Sequence, residues 1–307
     1  MGSQIDLWLD ATYEEAEAAF ADVEKLFARV EEALSRFKPE SELSQLNARP
    51  GKWVRVSPLL WEVLNLALEM SRATDGLFDP TLLNALEAAG YRCSFEELTN
   101  AANEPDAAPQ QTGTGHWQAI RLAKHKRAVS LPPGVRIDLG GIAKGYTAQQ
   151  AVELMRRSGP CLVDAGGDLT AGDAPYGLAG WPVAVAAPWS HEGEIPVDVV
   201  SLWLTNASLA TSGVDYRHWT YQGHSAHHII DPCSGQPSAS DVLTASVLAP
   251  TASSAEAWAT ASLVAGTHAA LQALAARDMA AVLIDRERRV KLTPSMQRQA
   301  SSQYSII

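Results

Sequence analysis

The segment Asp138-Leu-Gly-Gly-Ile-Ala-Lys-Gly145 constrains the fold of this chain most, because it combines a carboxylate, a glycine pair and an ammonium directly before a helical stretch. Gly140 and Gly141 have no Cβ, so the main chain there can approach a ligand closely. Residues 143–157 are predicted to form a helix, and a helix N-terminus attracts anions. The segment favours a phosphate-bearing ligand with a metal ion, but a tight connection between a strand and a helix is an equally good interpretation.

Composition narrows the class of protein. The 307 residues are 46% hydrophobic, which is typical of a globular chain with one elaborate domain or two smaller ones. A net charge of −11 argues against a general nucleic-acid binder. The spacing of Cys93, Cys161 and Cys233 suggests neither a zinc site nor a disulfide framework.

The expected compartment follows from hydropathy. No apolar stretch approaches the roughly 18 residues of a membrane span, and the chain as written does not begin with a secretory leader. We therefore expect no transmembrane segment and a cytoplasmic protein, or a periplasmic or membrane-anchored one if an upstream leader was removed.

Periodicity predicts an α+β chain. Alternation predicts a strand at 5–9, and helical spacing predicts a long helix from Tyr13 to Leu34, preceded by a capping box of Thr12 and Glu15. Further helices are expected from Ser57-Pro58 to about residue 76 and at about 81–89. Later strands are expected at 135–138, 161–164, 182–187, 197–204 and 242–248. An aperiodic stretch at about 99–116 predicts an exposed loop within a single domain, which this loop can divide into two lobes.

Two polar loops carry aromatic residues. The loop at 35–47, Ser-Arg-Phe-Lys-Pro-Glu-Ser-Glu-Leu-Ser-Gln-Leu-Asn, is most simply a capped helical turn. In the loop at 76–81, Asp79-Pro80 either starts the next helix or belongs to a binding site. In the second interpretation, Phe78 offers a flat apolar face to an aromatic ligand and Asp79 accepts its hydrogen bonds.

Two further short segments consist of small and polar residues. Residues 165–168, Ala-Gly-Gly-Asp, follow an apolar strand and give backbone access at its end. Residues 211–213, Thr-Ser-Gly, are expected to form a turn, which either cradles a phosphate or is an ordinary turn.

The remaining polar residues suit acid–base or metal chemistry. In His227-His228-Ile-Ile-Asp231, an imidazole can act as general base, although such residues also lie on strand exteriors or bind adventitious metal. Glu256 and Thr260 are one helical turn apart and can bind a hard cation through oxygen. Alternatively, Glu256 interacts with the helix N-terminus and Thr260 packs internally.

Taken in order, these segments resemble the ApbE family, the FAD:protein FMN transferases. The resemblance covers nearly the whole chain, through SELSQLN, GLFDPT, IDLGGIAKGY, DAGGD, ATSG, HHIIDP and AEAWAT. It implies a T-fold-like α+β architecture with mixed or antiparallel sheets and packed helices. It also implies FAD and Mg²⁺ as ligands, and transfer of FMN to a Thr or Ser hydroxyl of an acceptor flavoprotein with release of AMP. The alternatives are an FAD pyrophosphatase and a non-catalytic FAD-binding protein.

The same resemblance assigns site residues and a partner. His228 is the expected base, and the metal ligands are the Gly141 carbonyl, Glu256 and Thr260. The other matched positions are expected to contact the cofactor: Met1, Phe37, Leu77, Phe78, Asp79, Asp138, Lys144, Thr211, Ser212, Gly213 and Ile229. The acceptor is expected to be a membrane-associated redox protein.

The chain departs from the family pattern at three site positions. Glu256 stands where the family usually has Asp, which lengthens the carboxylate by one methylene and affects metal preference. Gln149 replaces a frequent Asp, and Phe37 replaces a frequent Tyr. No lipobox Cys precedes the first strand, whereas many relatives are exported lipoproteins.

Overall fold

The computed structural model describes residues 3–98, 115–189 and 197–303. These residues fall into two compact units. Unit 1 comprises Phe27–Lys144 and Tyr216–Ala239, and unit 2 comprises Ser3–Leu26, Gly145–Asp215 and Ser240–Ile307, within the described ranges. Most of the loop predicted at about 99–116 lies outside the described residues, so the loop and the single-domain interpretation stay predictions.

The α-helices of the described residues include those predicted at 13–34, from Ser57-Pro58 to about 76, at about 81–89 and at 143–157, with ends that differ by a few residues at most. They are α1 Tyr13–Leu34, α2 Glu42–Asn47, α3 Pro58–Ala73, α4 Leu83–Ala88, α5 Phe95–Leu98, α6 Ala143–Met155, α7 Ala252–Ala265, α8 Thr267–Ala275 and α9 Pro294–Gln303. None of these helices is long and apolar enough to cross a membrane.

The strands of the described residues are mostly short. They are β1 Ile5–Leu9, β2 Val54–Arg55, β3 Arg121–Ala123, β4 Ala128–Ser130, β5 Cys161–Ala165, β6 Leu169–Ala171, β7 Trp181–Ala186, β8 Asp198–Leu204, β9 Ala207–Gly213, β10 His218–Tyr221, β11 His224–His227, β12 Val242–Ala249, β13 Ala280–Asp285 and β14 Val290–Leu292. Every pair of these strands is antiparallel.

Unit 2 is built on a seven-stranded sheet in the order β1-β5-β6-β9-β12-β13-β14. Because side chains alternate across a strand, neighbours on β9 enter different cores. Leu209 packs with Leu202 of the β7–β8 hairpin and with Met296 of α9. Ala210 packs with Ala255 of α7. The sheet of unit 2 therefore has one face covered by the hairpin and α9 and the other face covered by α7.

Unit 1 contains the three-stranded sheet β2-β4-β3 and the β10–β11 hairpin. The hairpin turn uses Gln222 and Gly223, both with positive φ, as tight two-residue hairpin turns require. Buried leucines of α2 and α3, among them Leu43, Leu60 and Leu64, form its apolar interior.

The expected helix caps are present. Thr12 and Glu15 exchange backbone-to-side-chain hydrogen bonds at 3.2 and 3.4 Å, which confirms the capping box. Ser57 caps α3 by accepting from the Leu60 N–H at 3.2 Å. Thr251, which was not predicted as a cap, caps α7 in the same way through the Ser254 N–H. These local interactions explain why the helix starts were predictable from sequence.

Candidate functional site

The glycine-rich segment of unit 1 is held by a side chain and a loop. The Asn47 amide donates to the Ile137 carbonyl and accepts from the Ile137 N–H, both at 2.8 Å. The Asp138 N–H donates to the Pro80 carbonyl at 2.8 Å. The strand expected at 135–138 is therefore wrong, because these partners take the backbone groups that a neighbouring strand would pair. The loops at 35–47 and 76–81 therefore both contact the glycine-rich segment, at Ile137 and Asp138.

The glycine pair lies against an aromatic ring. Gly140 donates its N–H to Asp138 Oδ1 at 3.1 Å and so closes the turn before α6. A Cβ at Gly141 would lie 3.3 Å from the Phe78 ring, closer than an ordinary contact. Phe78 is buried, and the partly buried Leu77 beside it donates its N–H to the Thr74 carbonyl at 3.0 Å. Glycine at 141 thus lets the main chain pass close to the Phe78 ring.

Asp79 is a buried carboxylate with one oxygen satisfied. Its Oδ1 accepts from the Thr81 N–H at 2.7 Å and from the Thr81 hydroxyl at 2.5 Å. Among the described residues, Oδ2 has no hydrogen-bond partner. Burial raises the pKa of Asp79 above its usual range, against the opposing effects of Thr81, the Trp117 amide and His116. An Asp in this setting can accept or donate a hydrogen bond to a ligand.

An arginine not assigned from the sequence lies between the loops of unit 1. The guanidinium carbon of Arg36 is 4.1 Å from the Phe37 ring centroid and 4.6 Å from that of Tyr91. Its Nε is 3.8 Å from Asp138 Oδ1. Tyr91 packs in turn on Trp219, with ring centroids 5.2 Å apart. The sequence held one indication, a basic residue directly before the aromatic Phe37.

The expected base lies where β11 ends. His228 is half-buried, and Ile229 next to it is fully buried. Burial lowers the pKa of His228 to about 3, and the charges of Arg217, His227 and Lys144 act in the same direction. A hydrogen bond with the Arg217 main chain opposes this shift. His228 is therefore neutral at physiological pH, and it senses the charge of Lys144 in the first turn of α6.

Unit 2 contains the expected carboxylate ligand. Glu256 is 5% exposed, and its Oε2 accepts from the Gly145 N–H at 3.1 Å. A Cβ at Gly145 would lie 2.5 Å from that oxygen, so only glycine permits this approach. Gln149, also on α6, accepts from the Ala252 N–H at 3.4 Å, at the start of α7. Glu256 therefore interacts with a helix N-terminus, but with that of α6 rather than its own.

The segment 211–213 forms the end of β9, so the turn predicted there is wrong. The reason is tertiary, because β9 pairs with both β6 and β12 inside the sheet. The Thr211 N–H donates to Asp168 Oδ1 at 3.0 Å, and its hydroxyl lies 2.8 Å from that of Ser246. The Ser212 hydroxyl lies 3.3 Å from the hydroxyl of Thr260.

At Gly213, where β9 ends, a Cβ would clash with the Asp215 carboxylate and with the Thr244 methyl. This steric limit explains why a glycine stands at this position, and the predicted cofactor contact of residues 211–213 stays a prediction.

The donor set near Glu256 fits a hard divalent cation. A buried carboxylate and the hydroxyl of the partly buried Thr260, one helical turn away, are oxygen donors of the kind that Mg²⁺ prefers. The described residues contain no group of three or more His, Cys, Asp or Glu side chains that could hold a metal ion by themselves. A magnesium ion here would therefore need main-chain, water or substrate oxygens as well, which is usual for Mg²⁺.

The predicted site residues divide between the units. Unit 1 contains Phe37, Leu77, Phe78, Asp79, Asp138, Gly141, Lys144, His228 and Ile229, and unit 2 contains Thr211, Ser212, Gly213, Glu256 and Thr260. Met1 lies outside the described residues. Sequence reasoning missed Arg36, the anchoring role of Asn47 and the contact of Asp168 with Thr211. The last two depend on partners far away in sequence, which no local pattern reveals.

The fold and these side chains define a class of protein: an α+β protein with aromatic, acidic and imidazole groups in unit 1 and with carboxylate and hydroxyl oxygens in unit 2. The groups of unit 1 suit a ligand with a flat ring, and the oxygen atoms of unit 2 suit a hard cation.

The ApbE family profile matches residues 1–284, and the chain belongs to this family. The FAD:protein FMN transferase of Treponema pallidum is 31% identical over 281 residues, covering 82% of this chain and 72% of that protein. The protein of the same name from Salmonella typhimurium is 28% identical over 258 residues, covering 83% and 73%.

Solved structures have the same fold. The ApbE protein of Thermotoga maritima superposes with a TM-score of 0.83 at 23% identity, covering 96% of this chain and 94% of that one. The apo flavinyl transferase ApbE of Pseudomonas stutzeri gives a TM-score of 0.80 at 20% identity, covering 98% and 94%. The predicted ApbE-type α+β architecture is thus confirmed.

Proposed function

We propose that this chain transfers FMN from FAD to a Thr or Ser hydroxyl of an acceptor flavoprotein, in a Mg²⁺-dependent reaction that releases AMP. Membership of the ApbE family supports the proposal, since similar curated members are named FAD:protein FMN transferase. The observation that carries the chemistry is that the His228 imidazole is neutral and interacts electrostatically with Lys144. Following the family resemblance, we propose a membrane-associated redox protein as the acceptor.

The proposed step is one displacement at phosphorus. The acceptor hydroxyl oxygen forms a bond to the phosphorus of the FMN half, and the bond from that phosphorus to the bridging oxygen breaks, so that AMP leaves with the bridging oxygen. The hydroxyl proton passes to the imidazole of His228. Atoms and charge balance without an oxidant or a reductant.

The low pKa of His228 fits this role once substrate is included. An imidazole with a pKa of about 3 is fully deprotonated but weakly basic. The diphosphate of FAD brings negative charge, which favours the protonated imidazole and raises its pKa. His228 would therefore become a stronger base when FAD is bound, while Lys144 attracts the phosphate.

The metal assignment is part of the same proposal. Mg²⁺ would neutralise diphosphate oxygens in the transition state. Glu256 and Thr260 are the proposed side-chain ligands, together with the carbonyl of Gly141. The oxygen-only chemistry of these donors supports this choice over a softer metal.

The test is covalent labelling. Incubation with FAD, Mg²⁺ and an acceptor flavoprotein should give a fluorescent flavin band that survives denaturing electrophoresis. His228→Gln should still bind FAD but lose the band. His224→Gln, which changes an exposed histidine on β11, the strand that directly precedes His228, is the matched control and should keep the band.

Two other products would contradict the proposal. Free FMN and AMP without a labelled acceptor would identify a pyrophosphatase. Tightly bound flavin without Mg²⁺-dependent AMP release would identify a binding protein. Loss of FAD binding in His228→Gln, in parallel with loss of transfer, would remove His228 from the role of base.

A further inference from the structure

The guanidinium of Arg36 contains a buried hydrogen-bond donor that has no acceptor among the described residues. The side chain is only 5% exposed. Its Nη2 atom is buried and has no hydrogen-bond partner among the described residues. A charged donor withdrawn from water without an acceptor is costly, so such an atom is retained where a ligand supplies the acceptor.

Aromatic rings fix the position of this guanidinium. Its carbon lies over the rings of Phe37 and Tyr91, at 4.1 and 4.6 Å from their centroids. Such cation–π contacts hold the cation and keep water away from it. Phe37 is 41% exposed, so part of this aromatic surface is open to a ligand.

The local charge favours a neutral acceptor over an anionic one. Asp138 Oδ1 lies 3.8 Å from Arg36 Nε, so the cation already has a nearby counter-charge. A phosphate at Nη2 would also approach the Asp138 carboxylate and be repelled by it. A carbonyl oxygen on a flat conjugated ring avoids this repulsion and can pack against Phe37.

We propose that Arg36 is a specificity-determining residue that donates a hydrogen bond from Nη2 to a ring carbonyl oxygen of the flavin. This inference rests on the proposed function, which supplies FAD as the ligand. Arg36 then recognises the isoalloxazine ring, and recognition of the diphosphate falls to other groups, such as Lys144.

The test separates the two halves of the ligand. Riboflavin carries the ring without phosphate, and ADP carries the diphosphate without the ring. Arg36→Gln should weaken riboflavin binding by about tenfold or more, the effect of losing a charge-assisted hydrogen bond. Its ADP affinity, measured with Mg²⁺ present, should stay within about twofold of the wild-type value.

A matched arginine controls for the loss of a cation–π pair. The guanidinium carbon of Arg121 lies 5.3 Å from the Trp53 ring centroid, and its Nη2 already has a partner in Ser130 Oγ at 3.2 Å. Arg121→Gln should change neither affinity. Equal weakening of riboflavin and ADP in Arg36→Gln, or no change in either, would overturn the inference.

A change in the ligand gives a test that needs no variant. Riboflavin analogues with sulfur in place of each ring carbonyl oxygen present a weaker acceptor. The wild-type protein should bind at least one analogue several-fold less tightly than riboflavin, and equal binding of all of them would overturn the assignment. Absence of any FAD binding would remove the proposed function, whereas normal FMN transfer with unchanged riboflavin affinity in Arg36→Gln would remove only this inference.

Discussion

Burial shifts the pKa values of one basic and one acidic side chain of unit 1 in opposite directions. It lowers the pKa of His228 to about 3 and raises that of Asp79. In both cases the neutral form is favoured, because a low-dielectric setting penalises charge. The free protein therefore holds an unprotonated imidazole and a carboxylic acid of reduced acidity in one unit, an arrangement often found where a ligand's charge completes the site.

The His228 shift predicts how stability changes in acid. Because the pKa of His228 is lower in the folded than in the unfolded state, the unfolded state binds more protons between pH 6.5 and about 3. Stability should therefore fall as the pH falls through this window, with a slope from this residue of at most about 1.4 kcal/mol per pH unit. Chemical denaturation at several pH values measures it.

His228→Gln should flatten this dependence, while His224→Gln should leave it as in the wild type. The raised pKa of Asp79 contributes with the opposite sign, so only the difference between variant and wild type isolates His228. An unchanged slope in His228→Gln would contradict the pKa shift.

Gly145 predicts a steric test of the Glu256 position. Alanine in an open helical site usually stabilises by up to about 1 kcal/mol relative to glycine. At Gly145 the new Cβ would meet Glu256 Oε2 at 2.5 Å and the Ala252 Cβ at 3.1 Å. We therefore expect Gly145→Ala to destabilise unit 2 by about 1–3 kcal/mol, as overpacking does.

Gly140→Ala is the comparison for this test, since its Cβ would meet nothing closer than the Asp138 carboxylate at 3.4 Å. Its effect in thermal unfolding should stay within about 0.5 kcal/mol. Gly145→Ala as stable as the wild type would show that the Glu256 carboxylate does not approach Gly145 as described.

At the scale of elements, α2 and the glycine-rich segment are joined by one buried side chain. Asn47 ends α2 and satisfies both backbone groups of Ile137. Asn47→Leu would leave a buried N–H and a buried C=O unsatisfied. We expect a loss of about 2–4 kcal/mol of unfolding free energy, measured by denaturant titration.

Asn84→Leu is the control for Asn47→Leu, because the Asn84 side chain makes its hydrogen bonds with Gly134 and Arg136 at a more exposed site. It should cost about 1 kcal/mol or less. Similar losses in the two variants would contradict the anchoring role of Asn47.

The elements that were predictable are those with local causes. The start and end of α1 and the start of α3 follow from caps and periodicity within the segment itself. Two elements were not predictable from local sequence. Residues 135–138 do not form a strand, because Asn47 takes the backbone hydrogen bonds of Ile137. Residues 211–213 are part of strand β9, because β9 pairs with β6 and β12. Strand structure depends on partners that a local pattern does not contain.

At the scale of the whole molecule, an ordered set of weak motifs predicts the site residues, whereas no single motif does. Each motif by itself is also compatible with a purely structural role. For Glu256 that role was an interaction with a helix N-terminus, and its carboxylate does accept a hydrogen bond in the first turn of α6. Neither the motifs nor the family resemblance predicted a role for Arg36. The evidence for that role is the burial of its side chain and the lack of a hydrogen-bond acceptor for Nη2 among the described residues.

The central claim is that this chain moves the FMN half of FAD onto a protein hydroxyl. The most direct measurement uses FAD with separate isotopic labels in its flavin and adenine halves, incubated with Mg²⁺ and an acceptor flavoprotein. We predict that the flavin label appears on the acceptor and that the adenine label appears in free AMP in equal amount, with both lost on metal chelation. Both labels in small products, or both remaining in intact FAD, would contradict the claim.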